Sequence, residues 1–166
     1  MTTADAPRLR PPQHRADPRA VRWWTTRALA TTAALTAAPA ASALVWEPAR
    51  FWFLIAAAAL GAPGLLITFV MPQWRYRVHR WEVTDTAVYA SSGWFWQEWR
   101  VAPMSRIQTV DTARGPLQRV FGLSSVTVTT ASAAGPIEIA GLDHALAARV
   151  AGRLTEATQA APGDAT

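Results

Sequence analysis

The feature that most constrains the fold is an apolar run over residues 51–71, FWFLIAAAALGAPGLLITFVM, which contains no charged residue. The hydrocarbon core of a bilayer is about 30 Å thick and is crossed by about 20 helical residues. Trp52 and Trp74 stand 22 positions apart, which corresponds to about 33 Å of helix. Because tryptophan is enriched at both membrane interfaces, this run predicts a transmembrane helix over about 51–71.

A second transmembrane helix is predicted upstream, over about residues 24–46. This segment has no charged residue after Arg27, and Trp24 and Trp46 repeat the separation of 22 positions. The connection WEPAR is long enough only for a tight turn, so the two helices should form an antiparallel hairpin. Residues 23–74 then make up the membrane unit, and the prolines within both spans are tolerated in membrane helices.

Two questions remain open in this unit: whether the first apolar segment is cleaved, and what Gly61 and Gly64 do. The segment ALATTAALTAAPAASA (28–43) ends in small residues, as the apolar region of a signal peptide does, and cleavage near Ala43 would leave an envelope-facing domain. Gly61 and Gly64 allow either a close contact between the helices or a flexible kink.

The arginines predict the orientation of the hairpin, because basic residues concentrate on the cytoplasmic side. The connecting turn has only Arg50, beside Glu47. Both termini are therefore expected in the cytoplasm, in a multi-pass protein of a bacterial cell membrane. Residues 1–22 show almost no apolar periodicity and predict a disordered basic arm. The flanking arginines are Arg8, Arg10, Arg15, Arg19 and Arg22 before the first span, and Arg75, Arg77 and Arg80 after the second.

The region after Trp74 changes to short β-rich runs separated by turn residues, at the spacing typical of an antiparallel sandwich or barrel. Leu146, Val150 and Leu154 then recur every four residues, which predicts an amphipathic helix over about 143–158 with Asp143 as its N-cap. A domain over 75–158 and a loose tail over 159–166 follow. The six predicted strands are 76–83, 87–91, 96–101, 107–112, 125–130 and 137–140.

A short helical turn is predicted between Pro116 and Gly122, since Pro favours the first helical position and Gly the position after the last. Leu117, Val120 and Phe121 share one face of it and should point into the core. Gln118 and Arg119 then lie on the other side.

The residues argue against catalysis. There is no cysteine, the three histidines lack metal-ligand spacing, and no nucleotide-binding or nucleophile motif is present. We expect no enzymatic activity, no cofactor and no metal. All sixteen basic residues are arginine, but the cluster of arginines beside tryptophans flanks the predicted bilayer, so a nucleic-acid partner is not expected.

Candidate contacts are the polar residues near the membrane and in the stretch 103–123. The juxtamembrane arginines either hold anionic headgroups or only determine topology. The run WFWQEW (94–99) serves as a core anchor, an interfacial anchor or a partner contact. The candidate lipid or partner contacts are Arg75, Arg77, Arg80, Arg106, Gln108, Arg114 and Arg119.

Three segments carry a resemblance to a known family: PMSRIQTVDTARGPLQRVFGL (103–123), the strand SVTVTTASAAG that follows it, and the helix after GLD (141–143). In these segments the chain resembles the bacterial pleckstrin-homology-like family, second type, in its short, YdbS-like membrane form. The resemblance covers about residues 23–158. It implies a bent seven-stranded sheet with a C-terminal capping helix, so a seventh strand is expected within 94–101. Thr84-Asp85-Thr86 at the first hairpin lacks the positive charge with which related domains hold phosphoinositides.

Together these observations predict an α+β membrane protein with a two-helix hairpin and a PH-like β-domain. Its expected function is a non-enzymatic interaction module that scaffolds protein partners, or its own copies, beside the bilayer. Recognition of anionic lipid and an envelope-facing domain remain as alternatives.

Overall fold

The structure, a computed structural model, describes residues 12–132 and 135–160. In chain order the helices are α1 (Arg19–Val45), α2 (Arg50–Val78), α3 (Pro116–Val120) and α4 (His144–Ala160), and single 3-10 turns cover Glu47–Ala49 and Met104–Arg106. The strands are β1 (His14–Arg15), β2 (Arg80–Val83), β3 (Ala87–Ser92), β4 (Glu98–Pro103), β5 (Ile107–Ala113), β6 (Leu123–Thr130) and β7 (Ile137–Asp143).

The predicted hairpin is present as α1 and α2. Both are long and apolar enough to cross a membrane, and only 6% of the residues in each apolar window is buried within the protein, unlike the core helix of a soluble protein. Each helix extends beyond the predicted span. The region 76–78, predicted as strand, is the last turn of α2, because Tyr76 packs against the β-domain and continues the helix beyond the expected bilayer.

Gly64 is a site of close contact between the two helices, which supports the first of the two interpretations given for Gly61 and Gly64. A Cβ atom at Gly64 would lie 2.6 Å from a side-chain carbon of Thr32. Thr68 is fully buried beside it, and its hydroxyl lies 3.5 Å from that of Thr32. The small residue therefore permits the approach of α1 to α2.

The strands form two antiparallel sheets, as predicted for the class. One has the order β1-β2-β3-β4 and the other β5-β6-β7. The seventh strand was expected within 94–101 and is instead β1, where His14 pairs with Trp81 and Arg15 with Arg80. The disordered arm predicted over 1–22 is thus wrong for residues 12–22; residues 1–11 lie outside the described residues.

The core lies between the two sheets and α4. Val150 and Leu154 face it as predicted, and the Asp143 carboxylate accepts hydrogen bonds from the backbone N–H groups of Ala145 and Leu146 at 3.0 and 3.2 Å, which confirms the N-cap. The largest fully buried apolar side chains are Val88, Leu123, Val126, Val128, Ile139, Leu142 and Leu154.

The face of α3 differs from the prediction. Gln118 is buried, whereas Val120 is 78% exposed and Leu117 is also exposed. The Gln118 side chain accepts a hydrogen bond from the Gly115 N–H at 2.7 Å and donates one to the Ser125 hydroxyl at 2.9 Å. Because both ends of the amide form hydrogen bonds, these offset the desolvation cost of burying it, and this face of α3 turns inward.

Candidate interaction site at the membrane–domain junction

A second apolar cluster joins the hairpin to the β-domain. Trp23 and Trp24 at the start of α1 are buried against Leu123 and Ala140. Gly141 has a φ of 74° and approaches α1 so closely that a Cβ atom there would lie 2.8 Å from that of Ala20. This packing fixes the β-domain against the cytoplasmic end predicted for the hairpin.

On one side of the junction, Arg19 forms ion pairs with two carboxylates. Its guanidinium donates to Asp17 at 2.9 and 3.0 Å and to Asp143 at 2.7 Å. The hydrogen bonds from Arg19 lower the pKa of both carboxyl groups. Asp143 is also the N-cap of α4, so this arginine connects α1 with the end of β7 and the start of the capping helix. We call these three residues the Arg19 corner.

On the other side, Arg75 has an aromatic ring in place of an acidic partner. Its guanidinium carbon lies 4.7 Å from the centroid of the Trp24 ring. Its Nε atom is buried without a hydrogen-bond partner. Within residues 12–132 and 135–160, no carboxylate lies within 4.0 Å of the Arg75 guanidinium.

His79 follows α2 immediately and completes what we call the Arg75 corner, formed by Arg75, His79 and Trp24. Only 3% of His79 is exposed, and its Nε2 accepts a hydrogen bond from the Ala140 N–H at 3.3 Å. Burial, reinforced by the charge of Arg75, lowers the pKa of His79 to about 4. The neutral ring therefore carries its proton on Nδ1, which is buried without a partner.

A polar cavity of about 240 Å³ opens beside this corner. Arg75, His79, Gly93 and Glu138 are among its lining residues. Arg100 lies in its wall, where it donates to Glu98 and to the Pro136 carbonyl, each at 2.7 Å. The cavity thus places the loop after β3 next to the end of α2.

The aromatic run in that loop faces solvent, so the core interpretation of WFWQEW is wrong. Phe95 is 73% and Trp96 83% exposed, and Trp94 is also exposed. The loop leaves the sheet at Gly93, whose φ of 111° belongs to the left-handed region that favours glycine. The interfacial and partner interpretations remain.

The exposed aromatic surface of this loop continues along the outer face of β4. Ala102 points into the core, whereas Trp99 and Val101 are exposed on the outer face. Tyr89 on β3 is directly opposite Val101, which extends the outer apolar face across two strands. In the part of the chain that the structure describes, β3 is the sole strand hydrogen-bonded to β4, so the other edge of β4 is unpaired.

The structure does not bring the seven predicted contact residues together. No hydrogen bond or ion pair between two of them is present in the described ranges. Arg75 lines the junction cavities, and Arg114 lines a separate pocket of about 70 Å³ with Ser124 and His144. The others are Arg77 at the end of α2, Arg80 on β2, Arg106 before β5, Gln108 on β5 and Arg119 on α3.

Sequence reasoning missed the roles of Arg19 and His79. Arg19 was assigned to a disordered arm, and the sequence Asp17-Pro18-Arg19 at the start of a long helix is the local signal that marks its position. His79 was assigned to a strand as an ordinary polar residue. Its burial depends on β7, 61 residues away, and no local pattern indicates it.

Comparisons with known proteins agree with this architecture. The family model described as "Bacterial PH domain" matches residues 28–158. A curated relative, the UPF0699 transmembrane protein YdbS of Bacillus subtilis (strain 168), is 31% identical over 96 residues, which cover 57% of this chain and 60% of the relative. The match thus spans less than two thirds of that relative, and no solved structure matches the chain significantly.

Proposed function

This chain belongs to the bacterial PH domain family, and from that membership we propose that it is a non-enzymatic interaction module that binds a protein partner at the inner face of a bacterial membrane. Its established architecture is a PH-like domain in a YdbS-like transmembrane protein. The proposal adds the partner class, the binding surface and the side of the membrane.

The observation that carries the proposal is the free edge of β4. An unpaired edge strand offers a row of backbone N–H and C=O groups to another chain, and proteins usually protect such edges with charge, proline or a covering element. Strand β4 contains Glu98, Arg100 and Pro103, but its outer face also exposes Trp99 and Val101, at 46% and 42%. Aromatic side chains beside a free edge favour a partner that adds a strand.

The position of β4 favours a partner in, or close to, the same membrane. Glu98 at the start of β4 lines the same cavity as Arg75 at the end of α2. The edge therefore begins at the level where the chain leaves the bilayer. A second copy of this chain and another membrane protein both fit this position.

The packing of the N-terminal segment supports retention of the first helix. Cleavage near Ala43 would remove β1 from its pairing with β2, and Trp23 and Trp24 from the junction cluster. The arginines flanking the hairpin on the domain side, compared with Arg50 alone at the turn, support the cytoplasmic orientation. Both arguments disfavour the envelope-facing alternative.

Cysteine cross-linking in native membranes tests the proposal, because the natural chain has no cysteine. Val101→Cys, labelled with a photoreactive maleimide, should give a defined adduct on illumination. Twice the mass of the chain would identify a second copy, and another discrete mass a different protein. Ala148→Cys on α4, also exposed, is the matched control.

Equal or absent cross-linking at the two positions would contradict the proposal, since random collision does not distinguish them. The same variants report the side of the membrane. A membrane-impermeant maleimide should label both only after the cells are opened, and labelling of intact spheroplasts would reject the cytoplasmic orientation.

A further inference from the structure

A groove runs between α1 and α2 from the Arg75 corner towards the middle of the predicted spans. Its volume is about 430 Å³. Trp24, Arg27 and Arg75 lie at the end nearest the β-domain, and Leu35, Ile67 and Met71 line the part that extends into the apolar region. Along α1, Arg27 and Leu35 are separated by about 12 Å of helix. The groove is therefore cationic at one end and mainly apolar along the rest, where Thr31 and Thr32 are its polar lining residues.

The two arginines of this groove lack acidic partners. No aspartate or glutamate lines the groove, and in residues 12–132 and 135–160 no carboxylate forms an ion pair with Arg27 or Arg75. Glu138, in the adjacent cavity, attracts the charge of Arg75 without forming an ion pair with it, and the two guanidinium groups repel each other. A half-buried cation beside a like charge is costly unless an anion compensates it.

The shape of the groove restricts the class of that anion. A free phosphate ion would satisfy the arginines but leave the apolar part beside Leu35 and Ile67 without an occupant. A lipid whose headgroup carries a phosphodiester and whose chains are apolar satisfies both ends at once. Two cationic side chains without a lining carboxylate favour a lipid with a net negative charge over a zwitterionic one.

We propose that this groove binds one anionic diacyl phospholipid, with its phosphodiester between Arg27 and Arg75 and one acyl chain along Leu35, Ile67 and Met71. The site lies between the helices, away from the turn between β2 and β3. Its arginines and its apolar lining lie outside β4, so substitutions at these positions test this proposal separately from the protein-binding one.

The polar cavity next to Arg75 selects the headgroup beyond the phosphate. Arg75 lines both the groove and this cavity. This cavity is lined by the acidic residues Glu98 and Glu138 and by Arg100, which forms an ion pair with Glu98. A headgroup hydroxyl can donate to the Glu138 carboxylate, whereas a second phosphate would be repelled by it. The headgroup that fits is an uncharged polyol, as in phosphatidylglycerol.

Native mass spectrometry of the full chain in mild detergent tests the site, with phosphatidylglycerol and phosphatidylcholine of equal acyl chains as the probes. The natural chain should retain one phosphatidylglycerol and bind phosphatidylcholine more weakly. Replacing both arginines, Arg27→Gln with Arg75→Gln, should weaken retention about 25-fold, roughly fivefold for each arginine beside an anionic headgroup. Arg77→Gln is the matched control, because Arg77 is exposed on the same turn of α2.

A second variant keeps the test valid if the double substitution prevents folding. Ile67→Trp leaves both arginines in place and fills the apolar part of the groove, so it should also lower retention. Excess inorganic phosphate should not displace the lipid, which separates a lipid site from a free-phosphate site.

Three outcomes would overturn the proposal. They are equal retention of the two lipids, equal loss in Arg77→Gln and in the double variant, and full retention in Ile67→Trp. Displacement by inorganic phosphate would instead assign the two arginines to a soluble anion.

Discussion

Arg19 on α1 and Arg75 on α2 both lie where the hairpin contacts the β-domain, but only Arg19 has acidic partners. The Arg19 guanidinium reaches two carboxylates at 2.7–3.0 Å. Arg75 lies over Trp24, with a buried Nε that has no hydrogen-bond partner in the described residues. The first arrangement has its ion pairs within the chain, whereas the second has only the more distant charge of Glu138 and can accept the anionic ligand proposed above.

This difference separates a structural contact from a binding site. A charge cluster in which every group is already paired gains little from a ligand, because binding would first have to break existing ion pairs. A half-buried charge without an ion-pair partner can attract an oppositely charged ligand without first losing an existing ion pair. The number of basic residues near a membrane is thus a weaker guide to lipid binding than their partners.

The largest expected effect comes from Trp24, whose ring belongs to the Arg75 corner and to the apolar cluster of the junction. Trp24 is 2% exposed and contacts Gly141 near the Arg19 corner and His79 in the Arg75 corner. Trp24→Ala should lower the free energy of unfolding by about 3–5 kcal/mol, since it leaves a large cavity in a packed junction. Thermal unfolding of the full chain in detergent measures this.

Trp96→Ala is the matched control, because the side chain is 83% exposed and exposed substitutions usually change stability by less than about 0.5 kcal/mol. Equal effects of the two substitutions would mean that the junction cluster does not hold the domain to the hairpin.

A smaller effect distinguishes the two corners by pH. His79 has a pKa of about 4 in the folded protein, against 6.5 for the ordinary side chain. The unfolded chain therefore binds the proton first, and stability that is complete above pH 6.5 is lost as the pH falls towards 4. At about pH 5 the expected loss relative to neutral pH is about 2 kcal/mol.

His79→Gln should remove this part of the pH dependence, because the Gln side chain can still accept from the Ala140 N–H and does not titrate. The groups that face His79 are Arg75 on α2 and Glu138 on β7. At the Arg19 corner, Asp17 and Asp143 have lowered pKa values, so their contribution is lost only below about pH 4. An unchanged slope between pH 7 and 5 in His79→Gln would show that the Arg75 corner is not the acid-sensitive one.

The sequence predicts those parts of the fold that have a local physical signal. The long apolar run determines α2, alternation determines β6, and an acidic residue before a period-four apolar series determines the start of α4 at Asp143. Each of these signals lies within a few residues of the element it predicts.

The parts that sequence reasoning missed depend on distant partners. Strand β1 has two residues and no periodicity, and it exists because Trp81, 67 positions after His14, offers a pairing edge. Gln118 is buried because Ser125 accepts its amide proton. The contrast between Arg19 and Arg75 depends on which carboxylates the fold brings to each, and the residue type is the same in both cases.

The smallest expected effect tests that contrast directly. In detergent without added lipid, Arg19→Gln should lower the melting temperature slightly, because it breaks ion pairs with Asp17 and Asp143 that are partly exposed to solvent. High salt should lower the melting temperature of the natural chain towards that of the variant, since screening weakens these pairs.

Arg75→Gln should behave in the opposite way, because under these conditions it removes a half-buried cation that forms no ion pair within the described residues. Its melting temperature should match or exceed that of the natural chain without lipid and fall below it once phosphatidylglycerol is added, since only the natural chain gains the ligand's stabilisation. A lipid-independent loss in Arg75→Gln as large as that in Arg19→Gln would show that both arginines are structural, and the distinction between the two corners would be lost.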